Sequence, residues 1–346
     1  LEVVLVATEH GGRGGSWIDA IRLTRLLAEG DPNVAQVFLV HQVVVANVNE
    51  VAAPDLREEL SRRTSAGSLR WGSAYSELRT KHGFSYAMRI SPDGDGYRLN
   101  GEKFYSTGSL GADMLFTSAM LEGTERVMLA FVPSDAPGLE RVDDWSGMGQ
   151  ATTASGTTRF QDVPVDARYV IPMELTSPDS LLGPMAQACF SAIFLGIARD
   201  ALRDAYTYVF ERSRPAPYAG VDRAVDDPYT LLRLGELQTR VDAAAAMQER
   251  ALDHVAAYFE QPTVERRGAA SVAIAQAKTL TGNAALDVSE ALFKVSGASS
   301  TLRRYAHDRH WRNARTLTVH DPEDHKYRLI AEYHLLGMLP RVTETS

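Results

Sequence analysis

Arg309-His310-Trp311-Arg312-Asn313-Ala314-Arg315-Thr316-Leu317-Thr318-Val319-His320-Asp321-Pro322 closes a long, mostly helical region near the end of the chain. The run is rich in arginine and ends on a histidine, His320, followed by an aspartate and a proline. A histidine at a helix end has two uses. It can cap the last carbonyls, or it can act as an acid–base group, because free imidazole titrates near pH ~6.5. No metal site is expected. The pairs His307/His310 and His320/His325 lie among arginines and other charges that disfavour a bound cation, and His10, His82, His254 and His334 show no ligand spacing.

Upstream of this run the helical pattern reaches back to about Leu181. Asp227-Pro228 is a helix start, with Leu231, Leu234, Leu237, Val241, Ala245, Leu252 and Val255 along one face. Glu265 to Lys294 gives another long helix, and such lengths fit a four-helix bundle. Residues 68–172 read differently, as short alternating runs with turn punctuation. Pro92-Asp93-Gly94-Asp95-Gly96 is a strong turn signal, and Met114 to Met120, Val127 to Val132 and Thr157 to Phe160 read as strands. Strands without intervening helices argue for an antiparallel sheet or barrel. The first 65 residues are helix-forming again, with Asp31 or Asn33 capping a helix that turns Val37, Phe38, His41, Val44 and Val45 inward. The class is α+β, divided at 1–66, 67–175 and 176–346. The opening Leu1-Glu2-Val3-Val4-Leu5-Val6-Ala7 has no basic leader and reads as the interior of a domain already under way.

Composition narrows the partners. Lys and Arg number 36 against 44 Asp and Glu, a net charge of -8, which argues against nucleic acid and suits a cytoplasmic protein. The single cysteine, Cys189, excludes an internal disulfide; its apolar surroundings predict a buried structural thiol. No stretch reads as approaching the ~20 apolar residues that span a bilayer. Gly-x-Gly-x-x-Gly and Walker A sequences are both missing, so no nicotinamide-binding fingerprint is present.

Four segments in order resemble the acyl-CoA dehydrogenase superfamily. They are Thr8-Glu9-His10-Gly11-Gly12-Arg13-Gly14, the strand Leu99-Asn100-Gly101-Glu102-Lys103 with Ala112-Asp113 after it, Gly147-Met148-Gly149-Gln150 with Val163-Pro164-Val165, and the arginine-rich run above. The resemblance implies an N-terminal helical domain, a middle antiparallel β domain and a C-terminal four-helix bundle. Many dehydrogenases of the superfamily carry a glutamate base where this chain has His320. That departure, with Phe104-Tyr105-Ser106-Thr107-Gly108-Ser109 and Arg212-Ser213-Arg214-Pro215, is similar to the superfamily's two-component flavin monooxygenases, the thiophene-oxidising enzymes among them.

That branch receives reduced flavin (FMNH2 favoured, FADH2 as the alternative) from a separate NAD(P)H:flavin reductase, binds O2 as a C4a-hydroperoxide and transfers one oxygen atom. The resemblance therefore implies a homotetramer, a dimer of dimers, acting on an apolar heteroaromatic or organosulfur compound by S-oxygenation or indole-type ring oxygenation. N-hydroxylation, acyl-CoA dehydrogenation with another base and a non-catalytic scaffold stand as alternatives. By the same resemblance His320 is catalytic and His41 a second catalytic candidate. Tyr105, Ser106, Thr107, Ser73, Trp145, Arg212 and Arg214 are expected to contact flavin. Trp71, Tyr75 and Val45 are expected to line the substrate pocket. Each has a plainer alternative: core packing for the aromatics and His41, and a solvated helix end for the arginines.

Overall fold

The computed structural model describes residues 1–78, 86–173 and 180–342, and His82 lies outside them. Two compact units result. A β unit takes Leu1–Ala20, Gln36–Gly147 and Ala151–Leu182; a helical unit takes Ile21–Ala35, Met148–Gln150 and Gly183–Ser346.

In the β unit, most of α2 (Pro32–Val51) and α3 (Pro54–Ser65) pack with a sheet of β1 (Trp71–Ala74), β2 (Arg89–Asp93), β3 (Gly96–Lys103), β4 (Met114–Leu121), β5 (Val127–Pro133), β6 (Leu139–Arg141), β7 (Thr158–Asp166) and β8 (Val170–Pro172). The strand order is β6-β7-β3-β2-β4-β5-β8, with β1 paired to β4. Most ladders are antiparallel, but β1 and β2 both run parallel to β4, so the expected antiparallel sheet is mixed. The reason is β4 itself. Met114 and Phe116 face one apolar cluster, with Val44, Leu56, Leu60 and Phe131, while Leu115 and Ala119 face another, with Ile90, Leu99, Val132 and Phe160. A strand buried on both faces reads as a continuous apolar run and takes a central place. The Asn100-Gly101 step interrupts β3 with a register shift. Gly101 sits at φ 144°, and a Cβ there would lie 2.9 Å from the Met88 Cα, so only glycine fits.

The helical unit holds α4 (Leu182–Glu211), α5 (Pro228–Glu260), α6 (Val264–Ser296), α7 (Asp308–Thr318) and α8 (Glu323–Leu336), with most of α1 (Trp17–Ala28). Local chemistry sets the ends. Asp227 accepts the Tyr229 N–H at 2.9 Å with Pro228 in the first turn, and Thr263 accepts the Arg266 N–H at 3.2 Å. The bundle has three long helices, and its later members α7 and α8 are short helices packed on α6. α4 is apolar nearly all round. Phe194, Leu195, Ile193 and Ile197 are buried, each contributing on the order of 1.5–3 kcal/mol. Cys189 is buried among them, its thiol pushed up to about 12 by loss of solvent, as a structural cysteine should be.

One expectation fails on length. α2, at 20 residues, and α4, at 30, are both long and apolar enough to cross a bilayer. Their apolar windows are 61% and 89% buried, so packing against protein accounts for the composition of both.

Candidate active site

The β unit supplies a stapled loop after β3. Four backbone bonds fix it: Phe104 N–H to Ser76 O at 2.9 Å, Ser106 N–H to Gly156 O at 3.2 Å, Gly108 N–H to Thr153 O at 2.8 Å, and Ser73 N–H to Thr107 O at 3.1 Å. Thr107 Oγ1 lies 2.8 Å from Ser155 Oγ, which lies 2.7 Å from Thr153 Oγ1, forming a hydroxyl chain. Ser106 is buried and its Oγ meets no partner among the described residues. A buried hydroxyl without a partner is costly, and a ligand that completes it removes the cost.

Tyr105 is held at φ 55° and is 53% exposed, a conformation unusual for a side chain of its size. Trp145 packs edge-on to it at 5.9 Å, with Phe104 at 6.2 Å from Trp145. A Cβ at Gly147 would lie 2.3 Å from the Trp145 ring, so glycine there makes room for the indole. Tyr105, Ser106, Thr107, Ser73 and Trp145 thus come together around one loop.

The other β-unit candidates are drawn inward. Trp71 is 3% exposed and donates its indole N–H to Thr64 Oγ1 at 3.2 Å. Val45 is in the same apolar cluster, and Tyr75 packs on it from a partly exposed position, stacked on Phe116 at 5.8 Å. His41 is buried. Its Nδ1 accepts the Trp71 backbone N–H at 3.2 Å and its Nε2 bonds Glu2 O at 3.0 Å. Burial lowers its pKa, favouring the neutral ring that can accept from Trp71 while donating to Glu2. Both nitrogens are spent on main chain, which makes His41 an anchor for the start of β1.

In the helical unit, His320 follows α7 with its side chain 43% exposed. Its ring lies 4.5 Å from the Phe190 ring of α4. Nδ1 is 3.7 Å from Asp321 Oδ1. Asp321 turns inward and pairs with Lys278 of α6 and, at 3.0 Å, with Lys326 of α8. Burial would raise the Asp321 carboxyl, but His320 and the two lysines reverse this and hold it far below the usual carboxylate range. A cavity of about 140 Å³ opens here, lined by Lys278, Asp321, Arg315, Glu323, Lys326 and Phe194 among others.

Arg212 and Arg214 are exposed beyond the end of α4. The Arg212 guanidinium lies 5.6 Å from the Tyr305 ring centre, and that of Arg304 lies 5.0 Å from it. Two guanidiniums on one tyrosine make a cationic edge; Arg214 has no part in that stack. Arg312 is occupied elsewhere, donating to Asp308 at 2.8 Å and Met148 O at 2.9 Å. Asp200, Asp204 and His310 cluster closely enough to suggest a cation. Arg309, however, bonds both carboxylates and Arg203 pairs with Asp200, so cationic side chains already meet their charge.

Sequence reasoning missed Lys278, Phe190, Arg304 and the Thr153/Ser155 hydroxyls. Lys278 alone carried a signal: it is the one charge in Ser271-Val272-Ala273-Ile274-Ala275-Gln276-Ala277-Lys278-Thr279, a run small and apolar enough to be interior.

Comparison with known proteins gives a consistent answer. Residues 80–163 match the acyl-CoA dehydrogenase middle domain and residues 188–323 its C-terminal domain. The chain is similar to a dibenzothiophene monooxygenase of Mycolicibacterium goodii, 34% identical over 97% of this chain and 85% of the relative. It is similar also to a probable FMNH2-dependent monooxygenase, SfnC, of Pseudomonas putida, 32% identical over 97% of this chain and 86% of the relative. The crystal structure of FMN-bound TdsC from Paenibacillus sp. A11-2 superposes with a TM-score of 0.95 at 30% identity, covering 100% of this chain and 90% of that one.

Proposed function

The chain belongs to the acyl-CoA dehydrogenase superfamily, in its branch of flavin-dependent monooxygenases, and from that premise we propose a two-component enzyme that oxygenates an organosulfur compound at sulfur. It uses O2 and reduced FMN delivered by a separate NAD(P)H:flavin reductase. The observation that carries this reading is the division of labour at His320-Asp321. Dehydrogenation would need a carboxylate aimed at the substrate's α-carbon. Here the carboxylate is 13% exposed and held by Lys278 and Lys326, while the imidazole beside it is the exposed group.

The β-unit loop fits a flavin. The unpartnered Ser106 Oγ and the Thr107 hydroxyl chain offer hydrogen bonds to a polar ring edge, and Tyr105 and Trp145 offer a flat apolar wall. Arg212 and Arg304 suit a phosphate. When bound, reduced FMN supplies the two electrons that take one atom of O2 to water while the other is transferred to sulfur. His320 donates a hydrogen bond to the reacting oxygen or moves its proton, and Phe190 holds the ring in place. Tyr75, on the partly exposed side of its cluster, is the substrate-facing member of the Trp71–Val45–Tyr75 group. The proposal includes a homotetramer in the cytoplasm, with no nucleic-acid or membrane partner; the net charge of -8 supports the exclusion of nucleic acid.

The test is turnover under 18O2 with FMN, NADH, a purified flavin reductase and dibenzothiophene or a dialkyl sulfide. One 18O atom in the sulfoxide, and none without reductase, is the expected result. Product formed from NADH without reductase, or oxygen drawn from water, would overturn the reading.

A further inference from the structure

A lysine buried behind an acid–base histidine calls for a reason, because taking an ammonium out of water costs several kcal/mol. Lys278 is 7% exposed in the middle of α6. Its Nζ donates to Gln187 Oε1 on α4 and to Asp321 Oδ1, and sits 5.3 Å from the Phe190 ring centre. The Phe190 ring is also the one against which His320 packs, at 4.5 Å and an interplanar angle of 38°. Asp321 in turn lies 3.7 Å from His320 Nδ1. Lys278 therefore reaches His320 by two short routes: through a shared carboxylate and through a shared aromatic ring.

We propose that Lys278 is a positioning residue for His320, its pairing with Asp321 and its seat on Phe190 together setting the orientation and proton affinity of the exposed imidazole. The proposal rests on the assignment of His320 to oxygen chemistry. The charged groups around the cluster are Lys278 on α6, Arg315 on α7, Asp321 after it, and Glu323 and Lys326 on α8; α4 contributes the neutral Gln187 and Phe190. Burial, partly opposed by Asp321, brings Lys278 down to about 8, so the ammonium is present at neutral pH and carries a charge that matters. Without it, more of the Asp321 charge is left to bear on His320 and favour the imidazolium.

The experiment is an NMR titration of the His320 ring in flavin-free protein, run beside the pH profile of coupled turnover. Lys278→Met should raise the His320 midpoint by about half a pH unit or more. The acidic limb of kcat should move upward with it, while KM for the sulfur substrate changes little. Lys278→Arg keeps the charge and should restore the midpoint. Lys278→Gln is read as methionine is, and decides the matter if the methionine variant does not fold. A folded Met or Gln variant whose His320 titrates at the wild-type midpoint would overturn the proposal, even if its activity is low. If the midpoint moves but His320→Ala still oxygenates normally, the coupling stands and the oxygen role of His320 falls.

Discussion

In each unit a buried lysine, Lys103 or Lys278, meets a carboxylate, and the two sites behave differently. In the β unit Lys103 is 0% exposed and donates to Glu77 at 2.7 Å. Glu77 also accepts the Ala87 and Met88 N–H groups, at 2.7 and 3.2 Å, and the Tyr86 ring covers Lys103 at 5.0 Å. In the helical unit Lys278 meets Asp321, which has a second lysine, a half-exposed histidine and a cavity beside it. Burial lowers both lysines. The first pair ties β3 to Glu77, which in turn holds the Ala87 and Met88 N–H groups at the start of β2. The second adjoins a group that can exchange protons. A buried ion pair by itself says little about stability or function; what lies next to it decides which it serves.

The largest expected effect tests that contrast through stability. Lys103→Met leaves Glu77 without the lysine and should destabilise the protein by about 3–5 kcal/mol. Lys278→Met should cost clearly less, since Asp321 keeps Lys326 at 3.0 Å. Urea unfolding followed by circular dichroism compares the two. An equal or larger loss in Lys278→Met would erase the distinction.

Next comes activity. His320→Ala should keep the fold and lower product formation ~10²-fold or more, as the loss of a positioned acid–base group does. Consumed reduced flavin should then appear as hydrogen peroxide. His41→Phe is the counterpart in the β unit. It strands the Trp71 N–H and leaves the Glu2 carbonyl to the Gln42 amide alone, so it should cost about 1–3 kcal/mol of stability with a smaller loss of activity. Wild-type coupling in His320→Ala, or a larger activity loss in His41→Phe, would reverse the roles given to the two histidines.

These histidines also show how far the sequence could be read. His41 sits within α2 and His320 just past the end of α7, and only the structure shows that His41 has both nitrogens on main chain while His320 has an exposed face. Helix starts were legible because capping is local: Asp227-Pro228 and Asp31 act within two residues of themselves. The parallel pairing of β1 and β2 with β4 was not, because it depends on a partner tens of residues away. The resemblance carried the loop from Tyr105 to Thr107. It could not carry Ser155 or Arg304, whose value comes from contacts across 48 residues in one case and with an adjacent tyrosine in the other.

A smaller effect concerns the cationic edge of the helical unit. Arg212→Ala and Arg304→Ala should each weaken FMN binding by roughly 1.5–3 kcal/mol, the range for a charged hydrogen bond. Arg214, outside the Tyr305 stack, should matter less. Fluorescence titration with FMN and with riboflavin separates a phosphate contact from a ring contact, because only FMN affinity should fall. Equal losses for both ligands would place these arginines away from the phosphate.

The smallest effect is also the most direct comparison of the two lysines, since it isolates the electrostatic cost of burial. In the unfolded chain a lysine loses its proton near ~10.4, whereas folding brings Lys278 down to about 8. Between those values the unfolded chain binds more protons than the folded one, so stability contributed by this group rises with pH across that window. Below it the full cost of keeping the ammonium buried is present. Wild type should therefore gain on Lys278→Met by about 1–3 kcal/mol between about pH 8 and about pH 10, read from urea midpoints at each pH. Lys103, lowered by burial in the same direction, stays intact in both proteins and cancels from the difference. Parallel stability curves for wild type and Lys278→Met would mean that Asp321 already neutralises the cost, and that the open pair is as closed electrostatically as its counterpart in the β unit.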